Sequence, residues 1–121
     1  MHALLFPITT TKVLIIDNIV YGELLESSGL KEKSSDDVFR VKFKKRVNQE
    51  TSLYRWADQY NQTTSLAKKN LVVKELDQRG RIVQEFKLKN CYPIKWTMIH
   101  DKNQSPLTEH LELAVQDIIR H

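Results

Sequence analysis

Phe39-Arg40-Val41-Lys42-Phe43-Lys44 alternates apolar and cationic side chains without a break. Successive side chains on a β-strand point to opposite faces, so Phe39, Val41 and Phe43 share a face directed at a core. Arg40, Lys42 and Lys44 form a row on the other face. One greasy and one wetted face is the pattern of an antiparallel sheet. The row itself has two readings. It is either an ordinary charged outer surface or a basic face that meets a partner or lines a channel.

Outward from this strand, the C-terminal side carries a helical period. Leu53, Trp56, Ala57 and Tyr60 recur at i, i+3, i+4 and i+7, which predicts a helix over 50–61 with Asn48 or Thr51 as its N-cap. Leu53 and Trp56 are assigned to the core, Trp56 as an aromatic anchor. Residues 70–77 and 81–89 read as two strands joined by Asp77-Gln78-Arg79-Gly80, a hairpin in which Gly80 accepts a positive φ. Pro93 then predicts a kink, bulge or edge position. Beyond it Ile94, Trp96 and Met98 alternate with Lys95, Thr97 and Ile99, and 100–106 is a polar loop. The segment 107–119 fits a helix through Leu111, Ala114, Val115 and Ile118, or a strand through Glu109, Leu111, Leu113 and Val115; periodicity does not choose. On the N-terminal side, 12–21 reads as one β-branched strand, and the aperiodic polar stretch 26–37 as an exposed, mobile loop.

The 121 residues suit one domain spanning 1–121, with 40% apolar and 28% charged side chains of ordinary globular character. Nineteen Lys and Arg against fifteen Asp and Glu leave a net charge of +4, a modest basic excess. Cys91 is the only cysteine, which excludes an intramolecular disulfide and a cysteine-rich metal cluster. The start, Met1 to Pro7, is apolar but short and lacks a basic leader segment, and no apolar run is long enough to span a bilayer. The expectation is a protein made in the cytoplasm and not inserted in a membrane. Gly22, Gly29 and Gly80 are isolated, so no phosphate-cradling loop exists, and no nucleophile elbow is present. Cys91 and His100 lack an orienting partner, and His2, His100, His110 and His121 lack metal-ligand spacing. No catalytic, cofactor-binding or metal-binding residue is assigned.

Against this background one long stretch is informative. Phe86-Lys87-Leu88-Lys89-Asn90-Cys91-Tyr92-Pro93-Ile94-Lys95-Trp96 resembles the F-x-x-x-N-A-[WY]-P-x-K-W segment of phage tail-tube proteins, a family that includes the inner tubes of contractile injection systems. Glu109-His110-Leu111-Glu112-Leu113-Ala114 is similar to that family's E-x-L-E-L-A final strand. Ser52–Trp56 is similar to its x-L-Y-x-W helix, and Leu71–Gly80 to its hairpin. The resemblance covers residues 38–115 and favours strand for the last element. It departs at Arg46-Val47, where the family has Arg-Gly, and at Val115-Gln116-Asp117, where it has H-E-G.

The resemblance implies a mainly β (α+β) fold, an antiparallel β-barrel or sandwich with one flanking α-helix. It also implies homo-hexameric rings that stack into a hollow conduit, with sheath, baseplate or cap proteins of a phage tail or phage-tail-like particle as partners. The core is expected from Phe39, Val41, Phe43, Leu53, Trp56, Trp96 and Leu111, and the basic face from Arg40, Lys42 and Lys44. By analogy with the family's mobile hairpin, Ser27, Ser28, Gly29, Leu30, Lys31 and Glu32 form the inter-subunit or ring-stacking loop. An end-of-tube paralogue (initiator, adaptor, cap or terminator) is the nearest alternative. A small basic nucleic-acid-binding β-domain is the alternative of another class, although Phe39 and Phe43 lie opposite the cations; otherwise nucleic acid enters only as cargo.

Overall fold

In the computed structural model, which describes residues 10–30, 39–47, 53–62, 68–100, 102–103 and 106–121, Asp17 and Asn18 divide the N-terminal apolar run in two. Their φ angles are 53° and 64°. Short polar side chains tolerate this left-handed region, and two such residues in succession make a two-residue hairpin turn. Residues 12–21, expected as one strand, are therefore the end of β1 (Thr11–Ile16), a turn, and the start of β2 (Ile19–Ser28). The strand β2 also absorbs Glu26, Ser27 and Ser28, which the sequence assigns to a loop. They pair with Lys44, Phe43 and Lys42 of β3 (Phe39–Arg46). A short polar stretch facing solvent shows no apolar period, which is why it reads as a loop.

The chain continues through α1 (Tyr54–Gln62), β4 (Lys69–Leu76), β5 (Ile82–His100), β6 (Pro106–Val115) and β7 (Asp117–Arg120). Neighbouring strands run β4-β1-β2-β3-β6-β5, and β4 also pairs with β5, so six antiparallel strands close into a barrel. The seventh, β7, lies along Phe86–Lys89 of β5, on from the stretch that pairs with β6. The segment 107–119 is thus two strands, as favoured by the resemblance, but broken at Gln116, whose N–H donates to Lys89 O at 3.1 Å.

The 19-residue β5 serves both halves of the barrel, pairing with β4 along Lys69–Leu76 and with β6 from Tyr92 onward. So long a strand must bend to close a barrel. Asn90 has φ 51°, and the register with β6 shifts between Pro93 and Lys95. The interruption expected at Pro93 is this bulge in a continuing strand. The hairpin turn expected at Asp77–Gly80 is pinned by Asp77 Oδ1, which accepts from the N–H groups of Arg79 and Arg81 at 2.9 Å. The Arg81 N–H, first among these contacts, holds the Asp77 carboxyl below its ordinary pKa.

The interior is aliphatic, built on Leu14, Ile16, Leu71, Val73, Leu88 and Leu113, all essentially inaccessible. Val41, Phe43, Leu53, Trp56 and Leu111 are buried with them, and Trp96 packs against the cluster while partly exposed. Phe39 lies on β3, but its side chain is outside the described residues. The helix begins at Tyr54, later than the sequence period suggests; Asn48 and Thr51 lie outside the described residues. At nine residues α1 is too short to be stable alone and is held by its packing. It lies against β5, where Tyr54 and Trp96 rings meet with centroids 4.9 Å apart.

Candidate assembly surface

Parity along β3 sends Arg40, Lys42 and Lys44 away from the core that holds Val41 and Phe43. Register then decides what each cation meets. Arg40 lies opposite Ala114, Lys42 opposite Glu112 and Lys44 opposite His110 of β6. On the far side of β6, Glu112 lies opposite Lys95 and His110 opposite Thr97 of β5. One continuous outer face of β2, β3, β6 and β5 thus carries the basic row.

Its charges are partly matched. Arg40 Nη1 donates to Glu112 Oε1 at 3.2 Å, and Lys44 Nζ lies 4.0 Å from Glu26 Oε1. Both are exposed contacts that contribute little to stability. Lys42 and Lys95 flank Glu112 without an ion pair among the described residues. Together with Thr97, His110 and Glu112 they line a shallow hollow of about 180 Å³. His110 Nε2 is shielded from solvent and finds no hydrogen-bond partner among the described residues.

Of the residues expected to serve assembly, Ser27, Ser28, Gly29 and Leu30 sit at one end of this face. Ser27 and Ser28 are the last residues of β2, and Gly29 follows at φ 85°. A Cβ built on Gly29 would stand 2.6 Å from Arg40 O, so only glycine fits against β3 there. The Leu30 side chain packs against the chain's own core. Lys31 and Glu32 lie outside the described residues.

Among the described residues the sheet has two open margins. Glu26–Ser28 pair there with β3 on one side only, because β1 pairs with β2 no further than Leu24. Tyr92–His100 pair with β6 on one side, and among the described residues β4 reaches β5 no further than Cys91. An unpaired strand margin is a template for pairing with another chain.

Sequence reasoning missed a buried polar junction at the base of the face. Lys45 and Glu109 are 1% and 0% exposed, with Nζ and Oε2 2.9 Å apart. Glu109 Oε1 accepts from the Leu53 backbone N–H and from Trp96 Nε1, each at 2.9 Å, while Lys45 Nζ also donates to Arg46 O at 3.0 Å. One carboxylate therefore ties β3, the start of α1 and β5 to β6. The signal lay in parity. Lys45 stands two residues after the inward Phe43, and Glu109 two before the inward Leu111.

Among the described residues no three His, Cys, Asp or Glu side chains gather closely enough to hold a metal. Cys91 is buried, and desolvation pushes its thiol up to about 12. Since the thiolate is the reactive form, native Cys91 is expected to react with a disulfide reagent at pH 8 on the order of a thousandfold more slowly than the unfolded thiol. Stopped-flow thiol assays with and without urea check this, and comparable rates would contradict the burial.

Solved structures share this architecture. A chain of the PVC extracellular contractile injection system sheath–tube complex in its extended state superposes with a TM-score of 0.73 at 14% identity, covering 98% of this chain and 93% of its own. Hcp1 from Flavobacterium johnsoniae gives 0.67 at 21% identity, with 91% and 94% covered. A chain of the anti-feeding prophage tube-terminating cap gives 0.66 at 13%, with 100% and 95% covered. At these identities the likeness establishes the fold. No curated protein matches the chain by sequence. Family is decided by the sequence profile of the T4-like virus tail tube protein gp19, which matches residues 28–119: the chain belongs to that family.

Proposed function

We propose that this chain is a structural subunit of the inner tube of a contractile phage tail or phage-tail-like injection system, forming hexameric rings that stack into a hollow conduit. Membership of the tail tube family supports the tube role. The observation that carries the ring is the pair of margins open among the described residues of one sheet, Glu26–Ser28 on β2 and Tyr92–His100 on β5. They are different surfaces of the same subunit, so pairing one copy's β2 margin with the next copy's β5 margin is head-to-tail. Such contacts close into a ring when the rotation permits. Closure would remove both unpaired margins, with Ser27 and Ser28 at the seam.

In such a ring β2, β3, β6 and β5 form the continuous wall, and their core face carries β1, β4 and α1. That bulkier side takes the larger outer circumference, so the outer face with Arg40, Lys42 and Lys44 would turn toward the lumen. Sheath, baseplate and cap proteins are the partners this assembly would meet, in a particle assembled in the cytoplasm. A chain of the PVC sheath/tube terminator also shares the fold, with a TM-score of 0.66 at 13% identity, which keeps an end-of-tube role as the second reading.

Negative-stain electron microscopy across a concentration series tests the proposal. Six-fold rings and hollow stacks are expected. Rings that never stack would move the chain to the end of the tube. A strict monomer at the highest concentration would overturn the ring.

A further inference from the structure

From the outer face of β2, β3, β6 and β5 we infer that the conduit is cationic and takes a cargo polypeptide rich in acidic side chains. The inference rests on the ring reading, which turns this face to the lumen. Five cations lie on it, Arg40, Lys42, Lys44 and Arg46 from β3 and Lys95 from β5, against three carboxylates, Glu23, Glu26 and Glu112. Each subunit thus contributes an excess of two positive charges from these side chains. Like fields from neighbouring copies add within a narrow, low-dielectric-walled channel, which concentrates counter-charged solutes.

The arrangement is specific in two respects. Glu112 and Glu26 are already engaged, by Arg40 at 3.2 Å and Lys44 at 4.0 Å. Lys42 and Lys95 make no ion pair among the described residues; they stand one on each side of Glu112, both lining the 180 Å³ hollow. Strands are about 4.8 Å apart, so these two cations stand roughly 10 Å from each other across β6. Separate carboxylates on a flexible polypeptide can reach both.

A nucleic acid fits less well. Its phosphates form a continuous row that would pass over Glu112 and Glu26 as well as the lysines. Single strands also want free aromatic platforms. Phe43 is buried on the opposite face, and the Tyr92 ring is covered by Lys68, whose Nζ lies 5.5 Å from its centroid.

The test uses rings of the full chain verified by electron microscopy, mixed with a fluorescein-labelled glutamate-rich peptide, a matched lysine-rich peptide and an oligothymidylate. Anisotropy is read at rising salt. Expected is binding of the acidic peptide that weakens on the order of tenfold between low and physiological salt, with no binding of the basic one. Lys42→Glu/Lys95→Glu should abolish it, Lys42→Gln/Lys95→Gln should weaken it, and Lys87→Glu, an exposed cation of β5 outside this face, should leave it unchanged. The glutamine pair keeps the test decisive if charge reversal prevents assembly. Intact rings that ignore the acidic peptide, or bind it equally after both lysines are neutralised, overturn the inference and leave the ring standing. Tighter binding of the oligothymidylate overturns it in favour of nucleic acid. Absence of rings overturns both.

Discussion

Glu109→Ala is expected to cost about 3–5 kcal/mol in urea unfolding followed by tryptophan fluorescence, the usual penalty for stranding a buried charge. The side chain is fully buried, and its removal leaves three donors without their acceptor: Lys45 Nζ, the Leu53 N–H and Trp96 Nε1. Of these the lysine dominates. An uncompensated ammonium in a barrel interior is far more costly than an unmatched amide or indole N–H, each worth about 1–3 kcal/mol.

The partner variants separate charge from hydrogen bonding. Glu109→Gln keeps an oxygen for Leu53 and Trp96 but cannot neutralise Lys45, so most of the loss should persist. Lys45→Met with Glu109→Leu removes both charges and should recover much of it, since buried ion pairs replaced by apolar groups are often near neutral. The helix should nonetheless dock less well in the double variant, because Leu53 N–H still lacks its acceptor. A loss below about 1 kcal/mol for Glu109→Ala would show that water or a rearranged lysine relieves the junction.

This junction marks where sequence reasoning reaches its limit. The alternation through Phe39–Lys44 predicts both faces of β3, and the same parity carried one residue further makes Lys45 inward. Nothing local says that an inward lysine will meet a carboxylate, because its partner lies 64 residues away and depends on the β3–β6 register. The hairpin around Asp77–Gly80 and the bulge after Pro93 were legible because their causes are local: a glycine, an Asx side chain and a missing N–H. Asp17-Asn18 has equally local chemistry, but the apolar run on either side masked it. Glu26–Ser28 had no signal at all, since a strand margin defined by one neighbour imposes no period. The basic row was visible as a row, whereas Lys95 joins it only through Glu112, across a strand pairing that sequence does not contain.

Gly29→Ala is expected to destabilise the chain by roughly 2–3 kcal/mol, well beyond the other glycines. All three have positive φ, so any alanine bears the left-handed strain of about 1–2 kcal/mol. Gly22 and Gly80 have open space where a Cβ would go, and that strain is their whole cost. At Gly29 the new methyl would stand 2.6 Å from Arg40 O and 3.3 Å from Val41 Cα, both backbone atoms that cannot swing aside. Either β2 peels away after Ser28 or β3 shifts at Arg40. Both responses disturb the Arg40–Glu112 pair at 3.2 Å and the β2 margin proposed to seal the ring. The variant should therefore lose rings at concentrations where Gly80→Ala still forms them, even under conditions where both remain folded by circular dichroism. Equal denaturation midpoints for Gly29→Ala and Gly80→Ala would mean that the close approach to Arg40 yields without cost. Equal ring formation despite a lower midpoint would instead detach this margin from assembly, leaving Gly29 a purely structural residue of the β2–β3 hairpin.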